Sequence, residues 1–597
     1  MNKQLTIRES VPSIIHRLGG AATPLVFLLA FFLSASLSVR VNGSEPSQSP
    51  SEEELYGFSQ AVIDTLGEAI TAICDVEDIP GVAVVVVDDA KILWLKTYGH
   101  TDRSRKTPVT PETFFSIQSM SKSFTALAIL QAVQEGILDL DTPISTYLPE
   151  FTVNSRFERN PQDRITLRHL LSHTAGFTHE APIGNNFDSR IYSFHDHIRS
   201  ISDTWLKYPV GYCWSYSNLG FDLAGYILER ASGIPFERYV EEKVFAPLGM
   251  EASTFDVDVV ADLENRAIGH YQSRVIPLAR IPIIPAGGVY TNVREMAHYL
   301  HFHINRGVVD GKRLIDEALL EEMYNVPFPR LNQRFGYCLG LWKQPVSFSY
   351  SFYHGGAGCG FSSGIVWFPE LKIGAVVLTN SEKNGLNGSF LIRIVIESLI
   401  RSQFGMEEPV SVTVTGEESD TLAANDPKVQ GILGRYGGSD ARTIEIRNNE
   451  VGISFPGGDF YPLTLMFTDG QIVGKYGSYS EILVLPPLNN QPGTIVTKHR
   501  YMDICKYFGY NDGPNDLPGR EKPEWERYLG EYQMLYSGQL LSPVTVSKRN
   551  GYLYYGNKRC LEYEPGLFFS CDDGEALDFR GSIPTFRNIK LYRSASE

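Results

Sequence analysis

Ser119-Met120-Ser121-Lys122 sets a hydroxyl and an amine three residues apart, where a loop enters an apolar helical run. That spacing puts both side chains on one helix face, about one turn apart. A serine hydroxyl is a poor nucleophile until a neighbouring base takes its proton. A lysine held in an apolar, helix-buried site has a lowered pKa and can be that base. The helix N-terminus adds N–H groups and a partial positive charge that favour a developing oxyanion. The same four residues also fit an N-cap serine followed by a surface lysine, so the surroundings decide.

Two further segments carry compatible chemistry. Tyr216-Ser217-Asn218 lies on a loop just before a helical pattern at Phe221. There Tyr216 relays a proton between Ser119 and a leaving group, its phenolate stabilised by Lys122. Asn218 holds Lys122 and a substrate carbonyl. His354-Gly355-Gly356 falls at the end of a strand pattern, and its glycines let a substrate backbone lie along the strand edge. The N–H groups of Ala357 and Ser119 complete an oxyanion hole. Taken singly, the tyrosine segment also reads as a turn with a buried ring, and the glycine segment as a β-turn.

Elements able to position these groups follow from periodicity. Glu52 to Cys74 has apolar residues at helical spacing. Pro80-Gly81 breaks it, and Val82 to Val87 is a buried strand with a partner from Ile92 to Trp94. Met120 to Glu135 is a helix apolar on most sides, ended by Gly136. Phe221 to Ala231 is the clearest helix of a mixed middle region. Gly364 to Phe368 and Ile373 to Leu378 are adjacent strands, followed by a helix from Phe390 to Arg401. Strands at both ends around a helical middle predict an α+β domain whose terminal segments share one sheet.

Beyond residue 405 the character changes. Residues 406–425 read as a polar, acidic linker, and the rest as short strands and turns with an internal echo. Leu433-Gly434-Arg435-Tyr436 returns as Leu529-Gly530-Glu531-Tyr532, and each precedes a hairpin pattern. The expected layout is a leader and linker over 1–50, a catalytic domain over 51–405, and β-barrel-like repeats over 426–510 and 520–597. Cys560 and Cys571 are symmetric about Pro565-Gly566. A two-residue hairpin loop there would bring them within disulfide reach, while the alternative is two buried thiols.

The 597 residues carry a net charge of −16 and no long basic run, which gives nucleic-acid binding no support. Neither zinc-ligand spacing nor a Gly-rich phosphate loop is present, so no cofactor or metal is expected. Lys3, Arg8 and Arg17 precede an apolar stretch over Leu25 to Leu37. This reads as a secretory signal or an uncleaved membrane anchor, and places the remainder outside the cytoplasm.

In this order and these settings, the three motifs resemble the serine β-lactamase and penicillin-binding-protein superfamily. The resemblance is to its class C-like group of carboxylesterases, D-aminopeptidases and D-Ala-D-Ala carboxypeptidases. Phe114-Phe115-Ser116-Ile117, Leu170 to Gly176, Pro285-Ala286-Gly287-Gly288 and Gly358 to Phe368 match it in style, over about Leu55 to Phe404. The resemblance implies a β-lactamase/transpeptidase-like domain, an antiparallel sheet flanked by helices plus a helical region, followed by an all-β, barrel-like C-terminal region. The C-terminal repeats resemble lipocalin-like barrels of some peptidase relatives, in which a barrel loop can reach the cleft.

The resemblance makes Ser119 the acylated nucleophile, Lys122 its base, Tyr216 the proton carrier and Asn218 the substrate guide. His354 stands where the family carries the lysine of Lys-Thr-Gly. A histidine there gives a weaker, pH-dependent charge, and Gly355 supplies no hydroxyl. That argues against strong β-lactam turnover and for a small-molecule ester, amide or D-amino-acid peptide. The other readings are a slow-acylating sensor or a weak β-lactamase. His173 falls in a segment that looks structural in the family, and Cys359 reads as a small packing residue.

Overall fold

The structure is a computed structural model. It describes residues 60–594 apart from 328–335, 383–390, 396–420, 437–441, 486–493, 511–521 and shorter gaps. The leader, the start of the first predicted helix and most of the 390–401 helix lie outside the described residues.

The first helix, α1, spans Gln60–Glu77 and ends where Asp78 takes a positive φ of 53°. Strands β1 (Gly81–Val87) and β2 (Ile92–Gly99) follow. Three helices matter next: α2 (Ser121–Gln134), α3 (Asn218–Ser232) and α4 (Val293–Ile304). Strands β3 (Gly336–Tyr337), β4 (Trp342–Val346), β5 (Ser349–Gly358), β6 (Phe361–Phe368) and β7 (Ile373–Thr379) complete the main sheet. Its order is β2-β1-β7-β6-β5-β4-β3, with antiparallel neighbours throughout. The two ends of the domain therefore meet in one sheet, Val84 opposite Val377.

Both faces of this sheet are covered, which is why β1 is an unbroken apolar run and not an alternating one. Val82, Val84 and Val86 pack with Ile63, Leu66 and Ile70 of α1. Ala83, Val85 and Val87 face the opposite core, which contains α2, α3 and α4. Leu391, Ile392 and Val395 join the α1 side.

Helix α2 is buried almost all round, although it carries Ser121, Lys122, Ser123 and Thr125. Buried polar groups need partners, and the segment at 285–289 supplies several. Ser121 Oγ accepts from the Val289 N–H at 3.1 Å, and Thr125 Oγ1 donates to the Pro285 carbonyl at 2.7 Å.

The C-terminal region is antiparallel β throughout its described sheets. A four-stranded sheet covers strands within Gly434–Pro462, a five-stranded one Thr464–Tyr510, and a nine-stranded one Gly530–Arg593. Ile589–Lys590 and Tyr592–Arg593 occupy opposite edges of the nine-stranded sheet, with Leu591 alone between them. One residue cannot bridge a flat sheet of that width, so the sheet curls into a nearly closed barrel. The sequence echo has a structural counterpart. Tyr436 donates its hydroxyl to the Ile432 carbonyl at 2.6 Å, and Tyr532 to the Tyr528 carbonyl at 2.8 Å.

The expected hairpin symmetry around Pro565-Gly566 does not hold. An irregularity between Glu562 and Glu564 sets Cys560 opposite Ser570, and both cysteines are buried thiols.

The nine-stranded sheet docks on the domain of the seven-stranded sheet through a buried carboxylate. Glu575 accepts from Thr178 Oγ1 at 2.6 Å and from Lys207 Nζ at 2.9 Å. Asn588 Nδ2 donates to the Glu180 carbonyl at 2.8 Å. Trp205 packs edge-on against Tyr563 and Phe569. Breaking a buried pair from one side costs about 3–5 kcal/mol. Glu575→Ala is therefore expected to loosen the C-terminal sheet, read as faster proteolytic release of residues beyond about 520 and a lower denaturation midpoint. Unchanged proteolysis and midpoint would contradict the docking role.

Candidate active site

Ser119 sits in a 3₁₀ turn, Gln118–Met120, that runs directly into α2. Gln118 is forced to a positive φ of 52°, an unusual conformation for a side-chain-bearing residue. The turn is held by the Ile117 N–H on the Val289 carbonyl at 3.0 Å and by Ser363 Oγ on the Ile117 carbonyl at 2.7 Å.

Lys122 is wholly buried, and its Nζ has three oxygen neighbours. Ser119 Oγ lies at 3.1 Å, Asn218 Oδ1 at 2.9 Å and the Ala286 carbonyl at 2.8 Å. An ammonium has three protons, one for each. A neutral amine has two, for the amide and the carbonyl, which leaves its lone pair for the Ser119 hydroxyl proton. One geometry thus serves both protonation states. Burial is the main influence on Lys122, and Asp222 and Glu180 act against it. The amine is lowered from 10.5 to about 7.

Tyr216 is hydrogen bonded to Ser119, and its ring lies 4.8 Å from Lys122 Nζ. Burial pushes the phenol above its usual value despite the serine. It is therefore a neutral phenol at neutral pH. This corrects the expectation of a phenolate stabilised by Lys122, because the desolvation of the ring oxygen outweighs its neighbours.

Asn218 is also not on a loop. Ser217 caps α3 by accepting the Gly220 N–H at 3.2 Å, and Asn218 is the first helical residue. Its Oδ1 accepts from Lys122 while its Nδ2 donates to Glu180 Oε1 at 3.2 Å.

His354, Gly355, Gly356 and Ala357 lie on β5, beyond Tyr353 where the pairing with β4 ends. A Cβ on Gly356 would stand 2.1 Å from the Ile117 carbonyl and 3.0 Å from the Ser119 nitrogen. Glycine is thus required for the strand to approach the serine turn. Ser119 and Ala357 line one cleft of about 380 Å³ with Tyr216, Asn218 and His354.

The expected charge on His354 is absent. Burial, with Lys122 adding to it, lowers the imidazole to about 3. Its Nδ1 lies 2.6 Å from the Gly355 carbonyl, which can only accept, so Nδ1 carries the proton. Nε2 then accepts from the Tyr337 hydroxyl at 2.9 Å. Both nitrogens are used, and the ring is neutral across the physiological range.

His173 packs between Tyr216, Tyr337 and Phe221, at 4.3, 4.5 and 5.0 Å between ring centres. Its Nδ1 accepts the Ser217 N–H and its carbonyl accepts the Ser215 N–H, so it holds the tyrosine segment from both ends. Cys359 lines the cleft, but burial pushes its thiol up to about 12.

Four residues near the site were not singled out from sequence. Asp222 accepts the Ala286 N–H at 3.0 Å and lies 3.1 Å from His197 Nε2. It stands one helical turn beyond Asn218, a spacing that offered a signal. Glu180 and its neighbour His179 offered none, since their partner Asn218 is 38 residues away.

Comparison with known proteins bears on the family and the fold. Protein flp of Staphylococcus aureus (strain COL) is 27% identical over 348 residues, 57% of this chain and 66% of flp. Beta-lactamase-like protein 2 of Dictyostelium discoideum is 31% identical over 260 residues, 42% of this chain and 46% of that protein. The chain thus spans just under two thirds of the first of these and about half of the second. The octameric penicillin-binding protein homologue from Pyrococcus abyssi shares the fold. Its TM-score is 0.50 at 23% identity, covering 76% of this chain and 99% of that one. The Beta-lactamase family model matches residues 67–395, more than half of the sequence, and the chain belongs to that family.

Proposed function

We propose that the protein is a serine hydrolase that works through an acyl-enzyme on Ser119. The observation that carries this reading is the buried Lys122 amine, 3.1 Å from Ser119 Oγ and lowered to about 7. As Oγ attacks the carbonyl carbon, its proton passes to Lys122 Nζ. The N–H groups of Ser119 and Ala357, residues that line the same cleft, stabilise in this reading the oxygen that gains charge. Tyr216, a neutral phenol hydrogen bonded to Ser119, hands a proton to the leaving group and regains one from Lys122. Water then releases the acyl group.

The substrate class follows from what faces the cleft. His354 offers neither charge nor a vacant donor, so a carboxylate-bearing β-lactam finds no cation at that position. Phe255, Val257, Ile281, Ile283 and Trp342 make an apolar flank. These features favour an ester, or an amide or peptide of a D-amino acid, with an apolar group beside the scissile bond. The basic and apolar leader supports an extracytoplasmic site of action.

Ser119→Ala is expected to lower turnover of a chromogenic ester by at least about a thousandfold. Retained turnover would overturn the assignment. The pH profile of kcat/KM gives a second check. The neutral amine is the base, so activity is low below about 7 and rises through it. With a single midpoint there, kcat/KM gains about tenfold from pH 6 to pH 8. His354 stays neutral over that range and causes no loss. A flat or falling profile would contradict Lys122 as the base.

A further inference from the structure

Lys122 Nζ lies 3.1 Å from Ser119 Oγ, and the residue is wholly buried and does not line the cleft. It is well placed to take the serine proton and badly placed to meet a water molecule arriving at an acyl group. The cleft lining contains two imidazoles, His179 and His354. Both nitrogens of His354 are engaged. His179 differs. Its side chain is 32% exposed, and its Nδ1 lies 2.8 Å from Oε1 of Glu180, whose side chain is 1% exposed. A carboxylate only accepts, so Nδ1 carries the proton and the lone pair of the neutral ring is on Nε2. Among the described residues no other hydrogen bond engages the ring.

We propose that His179, oriented by Glu180, is a second catalytic base of this site, and that it activates the water that releases the acyl group from Ser119. The inference rests on the acyl-serine reading above.

The pair is fixed on every side. The His179 carbonyl accepts the Asn218 N–H at 2.9 Å, and the Glu180 carbonyl accepts Asn588 Nδ2 at 2.8 Å. Glu180 Oε1 also accepts from Asn218 Nδ2 at 3.2 Å, while Oε2 is buried with no hydrogen bond among the described residues. A carboxylate kept out of water and left partly unsatisfied is costly. It is well suited to stabilise an imidazolium that forms beside it and disappears again. The His179 ring stacks on Tyr216 at 5.4 Å and 26°, so it stands over the residue that is hydrogen bonded to Ser119.

In this step the water oxygen forms a bond to the acyl carbon while its proton moves to His179 Nε2. The tetrahedral intermediate then collapses, and the bond between carbon and Ser119 Oγ breaks. Oγ recovers a proton by way of the Tyr216 hydroxyl, which is refilled from His179. The imidazole ends neutral, the serine is restored, and the product is the free acid. No oxidant, metal or other reactant is needed.

The test uses the full chain and p-nitrophenyl acetate. In His179→Gln the first turnover is expected to stay within about threefold of wild type, while steady turnover falls about a hundredfold, the scale of losing a general base. Acetylated Ser119 then accumulates and is seen by mass spectrometry, and added imidazole speeds its release. Steady turnover within about threefold of wild type would overturn the proposal. So would a first turnover that falls in step with it, which marks a purely structural residue. Failure of the underlying reading looks different, because no acetyl group then appears on Ser119 in either protein.

Discussion

A lysine amine shut away from water sets the terms for the rest of this structure. Its drop from 10.5 to about 7 means that the fold disfavours the ammonium by about 5 kcal/mol. Burial alone would drive the proton off more completely, and Asp222 and Glu180 hold it back. The outcome is an amine poised near neutrality, where a general base is most effective. The amine meets three oxygens from three places in the chain. Ser119 comes from the turn before α2, Asn218 from the start of α3, and Ala286 from the segment stitched to α2 by Ser121 and Thr125.

The elements around this point serve to hold those acceptors in register. Asp222 fixes the Ala286 N–H whose carbonyl receives Lys122. Gly356 lets β5 come within contact of the serine turn. The C-terminal sheet continues the same chain of support. Glu575 grips Thr178 and Lys207, and Asn588 grips the Glu180 carbonyl, two bonds away from the amide that holds Lys122. A region with no described residue in the cleft lining thereby bears on the surroundings of Lys122.

Much of this was legible in the sequence, for a physical reason. Local signals were strong where burial was complete. The run Val82 to Val87 read as a buried strand, and the apolar helix after Ser119 as an internal one, and both are buried. The Gly-x-Tyr echo marked two places with the same tyrosine-to-carbonyl bond. What the sequence hid depended on tertiary surroundings. Nothing in His354-Gly355-Gly356 shows that Tyr337 and a backbone carbonyl will occupy both ring nitrogens and remove its charge. Nothing at Tyr216 shows that burial will keep its proton on. The His179 and Glu180 pair was invisible because adjacent residues become a dyad only when distant chain segments pin their carbonyls.

The most direct test of the account is the titration of Lys122 itself. Protein labelled at the lysine ε-carbon gives this resonance by difference from Lys122→Met, and its shift can be followed with pH. The account predicts a midpoint near 7, well below that of an ordinary lysine. A midpoint near 10.5 would contradict it, for Lys122 would then be a permanent cation and not the base that activates Ser119.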